Sequence, residues 1–363
     1  MKQPVTTSVN SVLKPSESKR LIDAYVEPLF TQKIEEAKQL DSSYATLWQS
    51  IQQLYQAGGK RLRSYMTFLV FQAYSERPLE TILPAAAAQE LLHLAMLVHD
   101  DIIDRDSIRY GVQNITGQYR DRYQHMVDNK TDREHFAESA AVLAGDLLLT
   151  EAFILTTETN TTAERIIESQ KILAKAIFTV IGGELLDTEA SFNTAGAAHP
   201  LVIAEQKTAS YSFVAPFTMG AIFGGAPTED REILQKLGQH MGIAYQLRDD
   251  IIGVFGNEHS TGKSADGDVR EGKRTVLITE FERLANEAQK QTFSSLFGNQ
   301  SITSDGIDQA RELLTESGAK AALEETIHSY TETSFQLIEK LSISETHKAT
   351  FRDLVTLCLQ REQ

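Results

Sequence analysis

Cysteine is almost absent from this chain: Cys358 is the single thiol. That excludes an intrachain disulfide and fits a reducing, cytoplasmic setting, with Cys358 expected as a core-facing thiol in the last helix. Excess positive charge is absent too. Lys and Arg number 35 against 50 Asp and Glu, a net charge of −15. A nucleic-acid partner is therefore not expected, since such proteins carry a basic face. An anionic substrate would need local cations, either metal ions or clustered Lys and Arg. Long hydrophobic runs are lacking. Residues 209–227 carry no charge, but Ser, Thr, Tyr, two prolines and three glycines make them too polar and broken for a membrane span. They read as a buried central helix, and no integral membrane segment is expected. Residues 1–20 have neither a long apolar core nor a cleavage-site pattern, which argues against a secretory signal.

Strand alternation is missing as well, and no turn reads as a hairpin. Helical periodicity fills the chain instead, so an all-α fold is expected: a multi-helix bundle around a deep central cavity. Residues 1–18 read as a polar tail and 19–363 as one domain. Periodicity starts near Leu21 and runs through Leu40; Asp41 offers an N-cap for a helix to Leu54, with Trp48 in the core. Residues 119–136 read as a charged surface loop. Ala137–Thr156 reads as a buried helix in which Gly145 allows close packing and Asp146 is either a buried, hydrogen-bonded partner, the favoured reading, or an active-site rim residue. A helix over 164–190 follows, then a loop over Asn193–Pro200. Residues 257–275 are rich in Gly, Ser and Asp and read as a long mobile lid. Beyond them the chain reads as scaffold.

The most informative stretch is ELLHLAMLVHDDIIDRDSIRYG, Glu90–Gly111. An apolar helical run ends in carboxylates. Asp100 and Asp104 are four residues apart and share a helix face, and Asp101 lies about 100° round. Like charges so spaced destabilise a helix unless a cation lies between them. Carboxylates without thiolates or clustered histidines suit a hard ion such as Mg²⁺. A second apolar helix, YQLRDDIIGVFG, ends in Asp249 and Asp250, with Gln246 on the same face. Two such pairs suggest one metal site clamped from two sides. Before the first cluster stands GGKRLR, where Gly58 and Gly59 break a helix and Lys60, Arg61 and Arg63 open the next. Cations there oppose the helix dipole, so an anion is expected.

Taken in order, GGKRLR, HDDIID, YQLRDD and TGKSADGDVREGKRT resemble the trans-polyprenyl diphosphate synthases, over roughly residues 50–280. The resemblance implies the isoprenoid synthase fold. It also implies condensation of an allylic diphosphate with isopentenyl diphosphate by ionisation, condensation and elimination. Mg²⁺ is implied as the cofactor, three ions with substrate bound, on Asp100, Asp104 and Asp249. Lys60, Arg63 and His93 are implied contacts of isopentenyl diphosphate. Arg109, Lys207, Lys263 and Lys273 are implied contacts of the allylic diphosphate, with Asp268 pairing one of these lysines. Thr208 and Gln246 would turn oxygen dipoles toward the cation, and Asp101 and Asp250 complete the catalytic set. A homodimer is implied.

Three residues depart from the family pattern. Tyr110 stands where a second arginine is usual, Glu184 where glutamine precedes Asp187, and Gly253 where a third aspartate is usual. Ala95 and Met96, five and four residues before Asp100, would form the cavity floor. Neither is aromatic, so a geranylgeranyl or longer product is expected. Two alternatives stay open: a class I terpene cyclase, and a non-catalytic subunit of a heteromeric prenyl synthase.

Overall fold

The computed structural model describes residues 12–192, 198–256 and 267–359. The chain divides into two compact units, residues 1–173 with 216–226, and residues 174–215 with 227–363. Both are helical, as expected.

In the first unit, α1 (Pro15–Leu40) begins upstream of Leu21, with proline in its first turn, where the missing N–H has no helical partner to lose. α2 (Ser42–Ala57) starts where Asp41 accepts a hydrogen bond from Ser43 N at 2.7 Å, and Trp48 is buried in it. α3 (Leu62–Tyr74) and α4 (Leu83–Ile103) pack together. α5 (Ile115–Arg122) and α6 (Lys130–Thr157) follow. α4 packs on α6, and α6 on α5 and α2. α6 is long and apolar enough, by length and composition, to cross a membrane, and 50% of that stretch is buried.

Three expectations fail here. Residues 119–136 are not one loop, because α5 and α6 claim both ends: Asn129 caps α6 through Thr131 N at 2.9 Å, and the Asn114 side chain caps α5. A hairpin does exist, β1 (Ile108–Arg109) paired antiparallel with β2 (Val112–Gln113). Its two-residue strands are too short to show alternation. Asp146 is exposed rather than buried; it lies 3.9 Å from His99 Nε2 on the outer face of α6. Gly145 beside it does permit close packing, since a Cβ there would meet His99 Nε2 at 2.0 Å.

The second unit holds the later part of α7 (Ala163–Phe192), α8 (Pro200–Ile203), a π-helical segment (Ala204–Val214) and α10 (Thr228–Phe255). α9 (Ala215–Gly224), which from Pro216 onward belongs to the first unit, continues the uncharged stretch, which is largely buried as expected. Then come α11 (Gly267–Glu271), α12 (Val276–Leu284), α13 (Glu287–Leu296), α14 (Ser304–Glu316), α15 (Ala319–Glu339) and α16 (Glu345–Leu359). α10 packs on the π segment, α15 and α16, and Cys358 is fully buried in α16. The Asn193–Pro200 loop lies mostly outside the described residues, as do Lys263 and most of the expected lid.

Candidate active site

In the first unit α4 supplies a continuous accessible face. His93, Met96, Leu97 and Asp100 keep partial exposure and Asp104 is exposed, while Ala95 is fully buried. These positions recur at three- and four-residue steps, the spacing of one helical face. Asp100, Asp101 and Asp104 close the helix. Asp104 is its C-cap, and its N–H donates to Asp100 O at 2.8 Å. The last turn of α4 carries no basic residue. Three carboxylates thus sit at the negative end of a helix dipole, where cations are favoured.

The two adjacent aspartates behave differently. Asp101 is 2% exposed, whereas Asp100 keeps accessible surface. The chain after α4 folds back over its end and brings in Arg109, which is itself buried. Asp106 N donates to Asp101 O at 2.8 Å, and Asn114 Nδ2 donates to Asp106 O at 2.8 Å. Arg109 Nε donates to Asp101 Oδ1 at 2.6 Å and Nη2 to Asp100 Oδ2 at 3.2 Å. Burial pushes the Asp101 carboxyl up to about 6 despite Arg109, and Asp100 adds to the rise. Desolvation by burial works against the Arg109 charge, but the Asp101 and Asp100 carboxylates outweigh it and hold the guanidinium firmly charged. Asp101 Oδ2 is buried without a hydrogen-bond partner.

The GGKRLR turn divides its cations. Arg61 is 7% exposed and tied into the fold. It donates to Asp23 Oδ1, Gly58 O and Tyr55 O, each at 2.8 Å, and lies over the Tyr55 ring. The N-terminus of α3 is also partly taken, because the buried Glu90 carboxylate accepts from Ser64 N and Oγ at 2.9 Å each. Lys60 is exposed and Arg63 partly so. His93 lines a narrow cavity with Glu90, Arg61, Leu97 and Tyr110. Burial first, then the Arg63, Arg109 and Arg61 cations, push its imidazole well below the usual range, so it is neutral at pH 7. Tyr110 lies against Gly58, where a Cβ would meet the ring Cγ at 2.5 Å. With Gly111 it forms the hairpin turn, at φ 54° and 75°. Both central residues at positive φ match the twist of a two-residue hairpin.

In the second unit, α10 and the π segment carry the chemistry. The π winding, a rare conformation that is frequent at functional sites, includes Lys207 and Thr208. Gly183 and Gly242 let α7 and α10 approach it closely: a Cβ on Gly183 would lie 2.3 Å from Lys207 N, and one on Gly242 2.4 Å from Ala209 Cα. Lys207 Nζ donates to Glu184 Oε1 at 3.0 Å and Asp187 Oδ2 at 2.7 Å. Glu184 therefore serves as an ion-pair partner where the resemblance expects an amide. Thr208 Oγ1 donates to Gln246 Oε1, and Gln246 Nε2 donates to Asp250 Oδ1 at 2.9 Å. Asp250 is 6% exposed, while Asp249 is more accessible. Burial pushes Asp250 up to about 7, against the lowering effects of Gln246 and Lys273.

Among the described residues, no group of three or more acidic, histidine or cysteine side chains forms a ready-made metal cage. That suits Mg²⁺, which takes one or two carboxylates and completes its shell with water and phosphate. The fit is supported by an all-oxygen donor set, with Asp100 and Asp104 keeping accessible surface at a helix C-terminus.

A family model described as polyprenyl synthetase matches residues 45–314. The chain belongs to the polyprenyl synthetase family. It is 31% identical over 286 residues to a short chain isoprenyl diphosphate synthase of Methanocaldococcus jannaschii, covering 78% of this chain and 81% of the relative. It is 30% identical over 298 residues to a geranylgeranyl diphosphate synthase of Methanosarcina mazei, covering 81% and 84%. A crystal structure of geranylgeranyl pyrophosphate synthase from Corynebacterium glutamicum, complexed with isoprenyl diphosphate and magnesium, superposes with a TM-score of 0.88 at 26% identity, covering 96% of this chain and all of that one. This polyprenyl synthetase is a head-to-tail prenyltransferase, a trans-polyprenyl diphosphate synthase.

Sequence reasoning missed the residues that hold the site. Arg61 was grouped with Lys60 and Arg63, and Asp23, Glu90 and Asn114 carry no motif. Their roles arise from tertiary contacts, as when Asp23 meets Arg61 across the first unit.

Proposed function

We propose that this enzyme extends an allylic diphosphate with isopentenyl diphosphate to a geranylgeranyl or longer trans-polyprenyl diphosphate, using Mg²⁺ on Asp100, Asp104 and Asp249, three ions with substrate bound. The observation that carries this reading is the repeated pair: in each unit one aspartate is accessible and its neighbour is buried and held by a named partner. Bound Mg²⁺ supplies Lewis-acid neutralisation of the departing pyrophosphate. Arg109, Lys207, Lys263 and Lys273 add fixed positive charge to that group. Lys60 and Arg63 bind the diphosphate of isopentenyl diphosphate, and neutral His93 donates a hydrogen bond without adding charge.

The allylic C–O bond breaks, the electron pair leaves with pyrophosphate, and the double bond of isopentenyl diphosphate closes the new C–C bond. The proton then lost passes to pyrophosphate. Asp250 orients this step indirectly. By accepting from Gln246 Nε2 it fixes the amide, whose oxygen accepts from Thr208; the Thr208 hydrogen is thereby engaged and its lone pairs are left for the cation.

Chain length is set on the accessible face of α4. Met96 lies on the Asp100 side and keeps accessible surface, whereas Ala95 is sealed. Met96→Phe is therefore expected to shorten the products more than Ala95→Phe, as read by chromatography of the dephosphorylated alcohols. The enzyme acts in the cytoplasm as a homodimer. On α7, Phe178, Ile181 and Leu185 are 75%, 55% and 67% exposed at helical spacing, an apolar stripe suited to a second copy. A monomeric mass at micromolar concentration in sedimentation would overturn the dimer.

The deciding experiment incubates the purified protein with Mg²⁺, isopentenyl diphosphate and, separately, dimethylallyl, geranyl, farnesyl or geranylgeranyl diphosphate. A product series with a clear stopping length is expected. Metal-dependent pyrophosphate release without elongation would point to a cyclase. Neither activity would point to a non-catalytic subunit.

A further inference from the structure

The two acidic clusters differ at one position. In the first, Asp104 follows Asp100 by four residues; in the second, the residue four after Asp249 is Gly253. Gly253 sits inside α10 without positive φ, so the position does not need glycine's backbone freedom. Glycine is also a poor helix former. What the position uses is its lack of a side chain. A Cβ on Gly253 would lie 2.1 Å from Asp268 Oδ2 and 2.8 Å from Asp268 Cγ. The carboxylate of Asp268 therefore occupies the space that a side chain at 253 would fill.

We propose that Asp268 is the third carboxylate of the second cluster, delivered from α11 rather than from α10, and that Gly253 is its seat. This rests on the metal-dependent prenyltransferase reading above and deepens it. The Asp268 backbone is anchored: its carbonyl accepts from Lys273 N at 3.0 Å. The neighbouring Val269 is fully buried, and its carbonyl accepts from Gly298 N at 2.9 Å. α11 packs on α10, so the carboxylate is held where Asp249 and Asp250 lie. Asp268 thus links the cluster to the segment carrying Lys273, which a third aspartate on α10 itself would not do. It is a positioning residue for the metal-bound diphosphate.

The test measures Mn²⁺ binding in the presence of inorganic pyrophosphate by electron paramagnetic resonance, beside elongation. Asp268→Ala and the isosteric Asp268→Asn are expected to weaken Mn²⁺ binding and raise the Mg²⁺ half-saturation about 10-fold or more, the usual scale for groups that orient metal ligands. Gly253→Asp alone is expected to lose function by collision with Asp268. Combining Gly253→Asp with Asp268→Ala is expected to recover metal binding and elongation to within about threefold of the parent, because the carboxylate returns on the α10 face. Recovery also excludes a folding defect in Asp268→Ala as the cause. Parental metal binding in Asp268→Asn, or no recovery in the double variant, would overturn the proposal. If the parent itself fails to elongate any primer, the prenyltransferase reading fails instead.

Discussion

The first and second aspartate pairs carry the same letters and are held by different chemistry. Asp101 is buried beside a guanidinium, at a helix end, under a chain that folds back over it. Asp250 is buried inside a helix beside an amide. In both, the first aspartate keeps accessible surface and the second does not. The comparison teaches that a DD pair divides its surroundings: one carboxylate stays accessible, as the proposed metal ligation requires, and the other is buried and tied to the parts around it. Arg109 at the first pair ties both aspartates together, whereas Gln246 at the second passes the constraint on to Thr208.

The largest effect expected from this division is kinetic. Asp100→Ala and Asp249→Ala should each lower kcat by about 10²–10³-fold, the scale of losing one electrostatic stabiliser, with little change in thermal stability. Next is stability. Arg109→Ala leaves Asp101 buried and uncompensated, and should cost about 3–5 kcal/mol by denaturant titration. Gln246→Ala removes a neutral amide that donates to Asp250 and accepts from Thr208, and should cost about 1–3 kcal/mol. Equal losses would erase the distinction between the two supports.

pH comes third. Folded carboxyls near 6 and 7 at Asp101 and Asp250 lie above the ordinary carboxylate value. The folded state therefore holds protons that the unfolded chain has already released. Their contribution to stability is full below about pH 4, falls as pH rises from there by at most about 1.4 kcal/mol per group per pH unit, and is gone by about 6 for Asp101 and about 7 for Asp250. Melts in EDTA between about pH 4 and 8 should show Tm falling up to about pH 7 and level above it, and Asp250→Asn should flatten the part of the fall between about 6 and 7. The smallest effect is at Glu184. Its ion pair with Lys207 is partly exposed and, under the proposed role of Lys207, would compete with the allylic diphosphate. Glu184→Gln should lower the allylic KM by up to about fivefold, the reach of a pair worth about 1 kcal/mol or less.

The sequence made the helices and the clusters legible because both depend on local spacing. A 3.6-residue period reports a buried face, and Asp100 and Asp104 report a shared one. What it hid depends on folding. The β1–β2 hairpin has strands of two residues, too short for any alternation. The π winding over Lys207 and Thr208 shifts the register without changing composition. Ala95 and Met96 look equivalent as neighbours, yet one is sealed and the other accessible, because α4 turns only one of them toward the Asp100 face. Asp146, inside an apolar run, suggested burial, but α6 buries only its other side.

The division of labour within each pair is tested most directly by Mn²⁺ binding, with pyrophosphate present, to four single variants: Asp100→Asn, Asp101→Asn, Asp249→Asn and Asp250→Asn. The account predicts that the variants at 100 and 249 lose Mn²⁺ binding and melt like the parent, while those at 101 and 250 retain binding and shift in Tm. Equal loss of binding at all four positions would contradict it.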